Sequence, residues 1–281
     1  MLHPDLFLWD KEFTSRKNAW FHCADRTPIE WYAALLEADP TVLLANRISN
    51  LPTETTQCWT VTPYHGQLTR DAIRVYPEGL FPRSQEDAAW LCKQLNPLLN
   101  EEGMSLHQVG AALLLSCRET LNANPVSFAA ISGKMLPNRH HEGADGGRIN
   151  RLMSEIQMVL HQFQPETRHQ RGEVEFSGIW LSDPIQWPQP AGVNNLTVAT
   201  RNPFLASIVD GRDAKVVISE AERLSELVKS EALLPKRVLL AGEGHAVLLT
   251  KSMMPKFGKV SWNPKSPKSE PELLSQMKGW F

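Results

Sequence analysis

Two residues that could bind an anion together lie near the end of a predicted helix and in the polar loop after it. The helix ends near His161, and the loop contains Arg168 and then Arg171-Gly172. An arginine fork suits the geometry of phosphate or carboxylate, and a neighbouring histidine can donate a further hydrogen bond. We therefore consider His161 and Arg168 as ligand-binding residues. The other interpretation is a solvated helix face followed by a surface loop.

A second group of polar side chains lies in the segment CWTVTPYHGQLTRDAIRVY, which begins at Cys58. Its alternation predicts two strands around a His65-Gly66 turn. Tyr64, His65 and Arg70 would then lie on one strand pair and could line a pocket. In a catalytic version of that pocket, histidine is the acid or base and arginine clamps the anion. The other interpretation is a hairpin whose polar groups are satisfied locally.

Residue types that bind metals occur in two other loops, but neither loop has the spacing of a metal site. The segment His140 to Glu142, with Asp145 nearby, is followed and interrupted by glycines, which predicts a mobile surface loop. The segment Gly242 to His245 has two glycines but no third glycine or Lys-Ser/Thr pair, so it predicts a hairpin turn rather than a phosphate loop. We therefore predict no metal and no cofactor.

Composition and charge argue against several classes of protein. The chain has 281 residues, 42% of them hydrophobic and 21% charged, which is typical of globular rather than disordered proteins. A formal net charge of -2 argues against nucleic-acid binding, which usually requires a basic excess. No apolar run approaches the roughly 20 residues that span a bilayer, and no signal peptide is recognisable. We expect a cytoplasmic protein with four reduced cysteines, which binds neither nucleic acid nor membrane.

The first elements that must position the candidate side chains lie between Ser84 and Cys117. Ser84 with Asp87 three residues later predicts a capped helix start, and an apolar stripe continues from there to Leu99. Two apolar runs follow, Met104 to Val109 and Ala111 to Cys117, and they predict a pair of strands.

The next elements carry the His161 and Arg168 candidates. Apolar residues from Ile149 to Phe163 recur at intervals of three and four, which predicts an amphipathic helix with one apolar stripe. After the polar loop, the apolar run Ile179 to Leu181 predicts a strand.

The C-terminal third predicts a different sheet. A strand from Lys215 to Ile218, a helix from Ser219 to Ser230 and a strand from Arg237 to Ala241 form an alternating unit. Such a unit is typical of a crossover onto a parallel or mixed sheet. We therefore predict an α/β protein in which residues 1–50 and 183–281 form a mixed-sheet domain. Residues 51–182 form a central α+β domain inserted into it.

Two blocks of the sequence resemble a known family. They are Cys58 to Glu119, and RLMSEIQMVLHQ followed by RGEVEFSGIWLSD. Together they resemble the RpfE-type regulatory protein family of proteobacteria, whose members are often labelled phosphoglycerate mutase. That family is distantly similar to the archaeal-type cofactor-independent phosphoglycerate mutases of the alkaline phosphatase superfamily. The resemblance implies a reduced alkaline-phosphatase-like domain that carries an inserted domain.

The chain departs from this family at the polar positions. The family shows a His-Pro-x-Asn stretch, an arginine, a glycine and a strand with asparagine. Here Gln164 replaces the histidine, Ser177 or Gly178 replaces the strand asparagine, and Arg168 remains. Metal-dependent mutases of the superfamily also need clustered Asp and His ligands for two ions. His245 stands in the C-terminal third without such a cluster.

The leading hypothesis is a non-catalytic binding or regulatory protein. One alternative is a phosphoglycerate mutase-like isomerase, or another enzyme acting on a phosphorylated or carboxylated metabolite. That enzyme would use His161 or His65 with Arg168 or Arg70. The other alternative is a protein-interaction module that uses the basic C-terminal tail, and the expected partners are thus a small anionic metabolite or a protein. If Arg168 clamps an anion, Arg168→Ala should weaken phosphate binding and leave the melting temperature nearly unchanged.

Overall fold

The chain divides into two compact units, one from Asp39 to Ala191 and the other formed by Met1–Ala38 together with Gly192–Phe281. The first unit extends beyond residues 51–182 at both ends, since a short helix before residue 51 packs on its sheet. The structure is a computed structural model, and it describes residues 2–3, 21–22, 33, 39–70, 72–137, 141–188, 196–200, 214–218, 237–242, 245–251, 262–265 and 272.

The secondary structure is a mixture of helices and strands. The described strands are β1 (Leu2–His3), β2 (Phe21–His22), β3 (Gln57–Tyr64), β4 (Gly66–Leu68), β5 (Ile73–Val75), β6 (Met104–Val109), β7 (Ala112–Cys117), β8 (Asn124–Pro125), β9 (His141–Glu142), β10 (Gly178–Gln186), β11 (Leu196–Thr200), β12 (Ala214–Ile218), β13 (Arg237–Gly242), β14 (His245–Lys251) and β15 (Trp262–Lys265). The α-helices bounded in the described residues are α1 (Pro40–Ala45), α2 (Gln85–Glu101), α3 (Phe128–Ile131), α4 (Gly146–Gln162) and α5 (Glu166–Gln170). The predicted α/β class is confirmed.

The unit Asp39–Ala191 is organised around a four-stranded antiparallel sheet with the order β10-β3-β7-β6. Alternate strand residues point to one face, where α2 and α4 cover them. This face holds the main hydrophobic core, whose members include Trp59, Val61, Leu91, Leu95, Leu113, Leu115, Ile149, Ile156, Ile179 and Leu181. A smaller cluster contains Tyr64, Val75, Phe128, Ile131 and Trp180.

Helix α2 begins as its sequence predicts. The Ser84 hydroxyl accepts a hydrogen bond from the Asp87 N–H, and the Asp87 carboxylate accepts one from the Ser84 N–H. This reciprocal capping satisfies two amides that a helix start leaves without partners. The helix is followed by Gly103, whose φ of +72° is the left-handed conformation that glycine adopts readily.

Helix α4 also confirms its prediction, apart from its last apolar residue. Ile149, Leu152, Met153, Ile156 and Leu160 are buried. Phe163 was expected to complete this stripe, but it lies after the helix end and is 52% exposed. Its extended backbone, with φ of -130°, takes its side chain off the helical stripe.

The predicted turn at His65-Gly66 is wrong. Strand β3 continues to Tyr64 and pairs along its length with β10 rather than with the residues that follow it. The turn lies further along, between β4 and β5, where the Thr69 N–H and hydroxyl both donate to the Ala72 carbonyl. The apolar alternation continues through both strand pairs, so it does not indicate where the chain reverses.

In the described residues of the other unit, seven strands form a mixed sheet with the order β12-β11-β1-β13-β14-β15, and β2 pairs with β14. Strands β12, β11, β1 and β13 run parallel to one another, whereas β14 is antiparallel to β13. The mixed sheet agrees with the predicted crossover pattern, and Gly242 pairs with His245 as the predicted hairpin requires. The predicted helix Ser219 to Ser230 lies outside the described residues.

Two physical properties bear on the expected class of protein. Cys58, Cys92 and Cys117 are free thiols, and burial raises the pKa of Cys58 to about 12 and that of Cys92 to about 11. Such thiols are poorly reactive.

Across the described part of the chain, no helix combines the length and the apolarity needed to cross a membrane.

Strand β10 contains an irregularity that places a carboxylate in a half-buried position. The register with β3 shifts between Ser182 and Ile185, and Asp183 takes a φ of +50°. The buried Thr41 hydroxyl donates to the Asp183 carbonyl. Burial raises the pKa of the Asp183 carboxyl, and burial together with repulsion from Asp183 raises that of Asp39.

We expect Asp183→Asn to raise the melting temperature at pH 7. The raised pKa means that the folded protein disfavours the charged form of Asp183. The protonated form therefore contributes stability at pH values below 3.8, the ordinary pKa. That contribution is lost as the pH rises through the pKa of Asp183 in the folded protein. Asparagine is neutral throughout and tolerates positive φ. The two melting curves should therefore converge as pH falls toward 4. Glu142→Gln, at an exposed site, is the control, and an equal difference at every pH would contradict the expectation.

Candidate functional site

A cleft of about 230 Å³ lies within the unit Asp39–Ala191. Its walls come from the end of β3, the β4–β5 hairpin, helix α4 with the residue after its cap, and the segment that enters β10. The lining residues are Tyr64, Gly66, Ile73, Gln157, His161, Gln164, Glu175, Phe176 and Ser177.

Tyr64 and Gln157 are hydrogen-bonded to each other in the cleft. Tyr64 is the last residue of β3 and is only 2% exposed, and its hydroxyl accepts a 3.0 Å hydrogen bond from the Gln157 side-chain amide. Burial raises the pKa of Tyr64, so its hydroxyl is neutral and keeps a proton to donate. Gly178 pairs with Tyr64 across the strands and leaves space for its ring.

Ser177 and His65 lie close together but are not arranged as a nucleophile and its base. The Ser177 hydroxyl accepts a 2.9 Å hydrogen bond from the Gly66 N–H, and His65 Nδ1 lies 3.4 Å from it. The same Nδ1 lies 2.9 Å from the Glu175 carbonyl oxygen. A carbonyl only accepts, so Nδ1 carries the proton and cannot remove one from Ser177.

Gln164 holds the end of α4 against the segment before β10. Its side-chain N–H groups donate to the carbonyls of Leu160 and Phe176, and its carbonyl accepts from the Phe176 N–H at 3.0 Å. Three backbone groups therefore depend on this one amide side chain. The glutamine at this position fixes one wall of the cleft.

Arg168 is enclosed in the protein. Its side chain is 2% exposed and forms an ion pair of 3.0 Å with Asp87, whose side chain is equally buried. Its guanidinium also donates to the carbonyls of Pro82 and Val174. Its central carbon lies 4.8 Å from the centre of the Phe81 ring and 4.3 Å from that of Phe176.

All these contacts of Arg168 are with other parts of the protein, so they stabilise the fold. The sequence had instead predicted that Arg168 binds an external anion. Burial lowers the pKa of the guanidinium, while the carboxylates of Asp87 and Glu173 oppose that shift. An external anion would have to displace Asp87 and two carbonyls to reach it. Arg168 is not among the residues that line the cleft, so the structure does not bring His161 and Arg168 into one site.

Of the other candidate residues, some line the cleft and some do not. Tyr64 and His161 both line the cleft, and His161 is exposed. His65 is not among the lining residues and packs edge-on against Tyr76, with 6.0 Å between ring centres. Arg70 is exposed in the turn of the β4–β5 hairpin and does not line the cleft.

The loop with metal-binding residue types is used for packing. His141 is 2% exposed, its Nε2 lies 3.0 Å from the Leu181 carbonyl, and its ring packs on Trp180 and Trp59. The Asp145 carboxylate accepts a hydrogen bond from the Asn122 N–H. The expected mobile surface loop is therefore wrong for His141, and His140 lies outside the described residues. Among the residues that the structure describes, no three His, Cys, Asp or Glu side chains are grouped to hold a metal ion.

Sequence reasoning missed Gln157 and Glu175 as lining residues. One signal could have found Gln157. Gln157, His161 and Gln164 follow one another at intervals of four and three, so they project from one side of α4 and its extension. That side lies next to the apolar stripe and faces the cleft.

The whole chain was compared with protein-family models, curated proteins and solved structures, and none of them matches.

Proposed function

We propose that this protein is a non-catalytic binding or regulatory protein and that the cleft is its small-molecule site. The observation that supports this most is the convergence of Tyr64, Gln157, His161 and Ser177 on one cleft. Hydroxyl, amide and imidazole groups of this kind orient a ligand by hydrogen bonds. Because His65 Nδ1 already donates to a carbonyl, Ser177 serves as a hydrogen-bonding group rather than as a nucleophile.

We further propose that the chain is similar to the RpfE-type regulatory protein group, with a reduced alkaline-phosphatase-like domain. The mixed sheet of the unit formed by Met1–Ala38 and Gly192–Phe281 supports the fold proposal, since parallel strands form its centre. The chain departs from that group at Gln164 and at Ser177 or Gly178. Gln164 and Ser177 both line the cleft, so the altered polar positions lie at one place.

We expect His161→Ala to weaken ligand binding by about three- to tenfold, the effect of losing roughly one hydrogen bond. The measurement is amide NMR of the full chain, titrated with small polar molecules and followed at Gly66, Gln157 and Ser177. His169→Ala is the matched control, because His169 is an exposed histidine of α5 that does not line the cleft. Equal weakening by both variants would contradict the assignment of the site.

Incubation with Mg²⁺ or Mn²⁺ and 3-phosphoglycerate tests the non-catalytic part of the proposal. We expect no turnover. Product that forms with the metal and stops forming on chelation would overturn that part, and it would instead support a phosphoglycerate mutase-like enzyme.

A further inference from the structure

The charge of the cleft differs from what an anion site requires. Among the described residues that line the cleft, Glu175 alone carries a fixed charge, and it is negative. The part of the lining that the structure describes contains no lysine or arginine, since Arg168 is enclosed elsewhere and Arg70 lies on the hairpin turn. An anion in this cleft would be repelled by the Glu175 carboxylate and would meet neutral donors and His161.

The hydrogen-bonding groups of the cleft favour a ligand that donates. The Glu175 carboxylate accepts only, and the Gln157 side-chain carbonyl accepts as well. Within the described part of the chain, Arg168 and Arg171 form ion pairs with Glu173, and none is formed with Glu175. The Ser177 and Tyr64 hydroxyls can each donate one hydrogen bond to a ligand hydroxyl, because both already accept one from the protein.

The size of the cleft limits the ligand further. A volume of about 230 Å³ is below the range of roughly 300–1,000 Å³ typical of drug-sized ligands. Ile73 and Phe176 add an apolar wall for a short hydrocarbon part.

We infer that the cleft binds a small ammonium-bearing ligand with hydroxyl groups, an amino alcohol, and that Glu175 is its charged partner. This inference rests on the proposed function, since it names the ligand class of the same cleft. It replaces the expectation of an anionic metabolite, which relied on Arg168 or Arg70 as the anion clamp.

Three probes with one carbon skeleton test the inference: serinol is cationic, glycerol is neutral and glycerate is anionic. We expect serinol to bind the full chain about two- to fivefold more tightly than glycerol, as an exposed ion pair would give. Glycerate should bind most weakly. The preference should shrink as salt is added. Affinities are measured from the amide shifts of Gly66, Gln157 and Ser177.

Two variants assign the preference to one carboxylate. Glu175→Gln should abolish the preference for serinol over glycerol. Glu142→Gln should retain the preference, because Glu142 is exposed on β9 and does not line the cleft. Tighter binding of glycerate than of serinol at the same amides, or a preference that survives Glu175→Gln, would overturn the inference while the proposed function stands. If no probe shifts these amides, the proposed function itself fails.

Discussion

Arg168→Ala is expected to destabilise the unit Asp39–Ala191 by about 3–5 kcal/mol, the cost of breaking a buried ion pair by removing one partner. The variant leaves the Asp87 carboxylate, whose side chain is 2% exposed, without its closest cation. It also leaves the carbonyls of Pro82 and Val174 without their arginine donors and leaves a gap beside the Phe81 and Phe176 rings. A residue that only bound an external anion would show no such loss.

Amide hydrogen exchange in α2 and α4 measures this effect, because it reports on the unit that contains Arg168. Arg168→Lys retains the charge but loses the planar fork, so it should recover only part of the stability. Arg171→Ala is the matched control, because Arg171 pairs with Asp87 and Glu173 but its side chain is 34% exposed. Such a pair is worth about 1 kcal/mol or less. Unchanged exchange protection in Arg168→Ala would show that the network does not stabilise the fold.

The predictable elements of the fold are those whose signals lie within one short segment of the sequence. Helix α2 has its capping pair and stripe within one segment, and β6 and β7 are separate apolar runs divided by Gly110. The turn after β3 was misplaced for the opposite reason. Partners far along the chain, on β7 and β10, decide where β3 ends.

In the candidate site too, features that depend on neighbouring residues were predictable, and features that depend on distant residues were not. The capping role of Asp87 follows from Ser84 three residues before it, but its ion pair with Arg168 joins positions 81 residues apart. Sequence pattern therefore predicted the helix start and gave Arg168 the wrong surroundings. The charged lining residue Glu175 could not be predicted from periodicity, because it lies in the irregular segment before β10. Only the fold reveals that Glu175 lines the cleft whereas Arg168 is enclosed elsewhere.

Gly178→Ala is expected to destabilise the same unit by about 1–3 kcal/mol, the usual cost of overpacking a buried site. A Cβ at this position would lie 2.7 Å from the Tyr64 hydroxyl oxygen and 2.8 Å from the ring carbon that bears it. The ring is rigid and belongs to the small core cluster with Val75 and Trp180, so it cannot move without disturbing that cluster. Displacing the ring also breaks its hydrogen bond with Gln157, so serinol and glycerol should both bind more weakly.

Urea denaturation of the full chain and the side-chain amide signal of Gln157 follow the two effects separately. Gly147→Ala is the matched control, because a Cβ there has no neighbour within 4 Å and the residue lies in helix α4. That substitution should stabilise by about 0.5–1 kcal/mol, as alanine does in place of a helical glycine. Tyr64→Leu combined with Gly178→Ala should cost less than the sum of the two single changes, since the shorter side chain removes the clash. If the two single changes in the free energy of unfolding simply add, the contact with Tyr64 is not the cause of the destabilisation by Gly178→Ala.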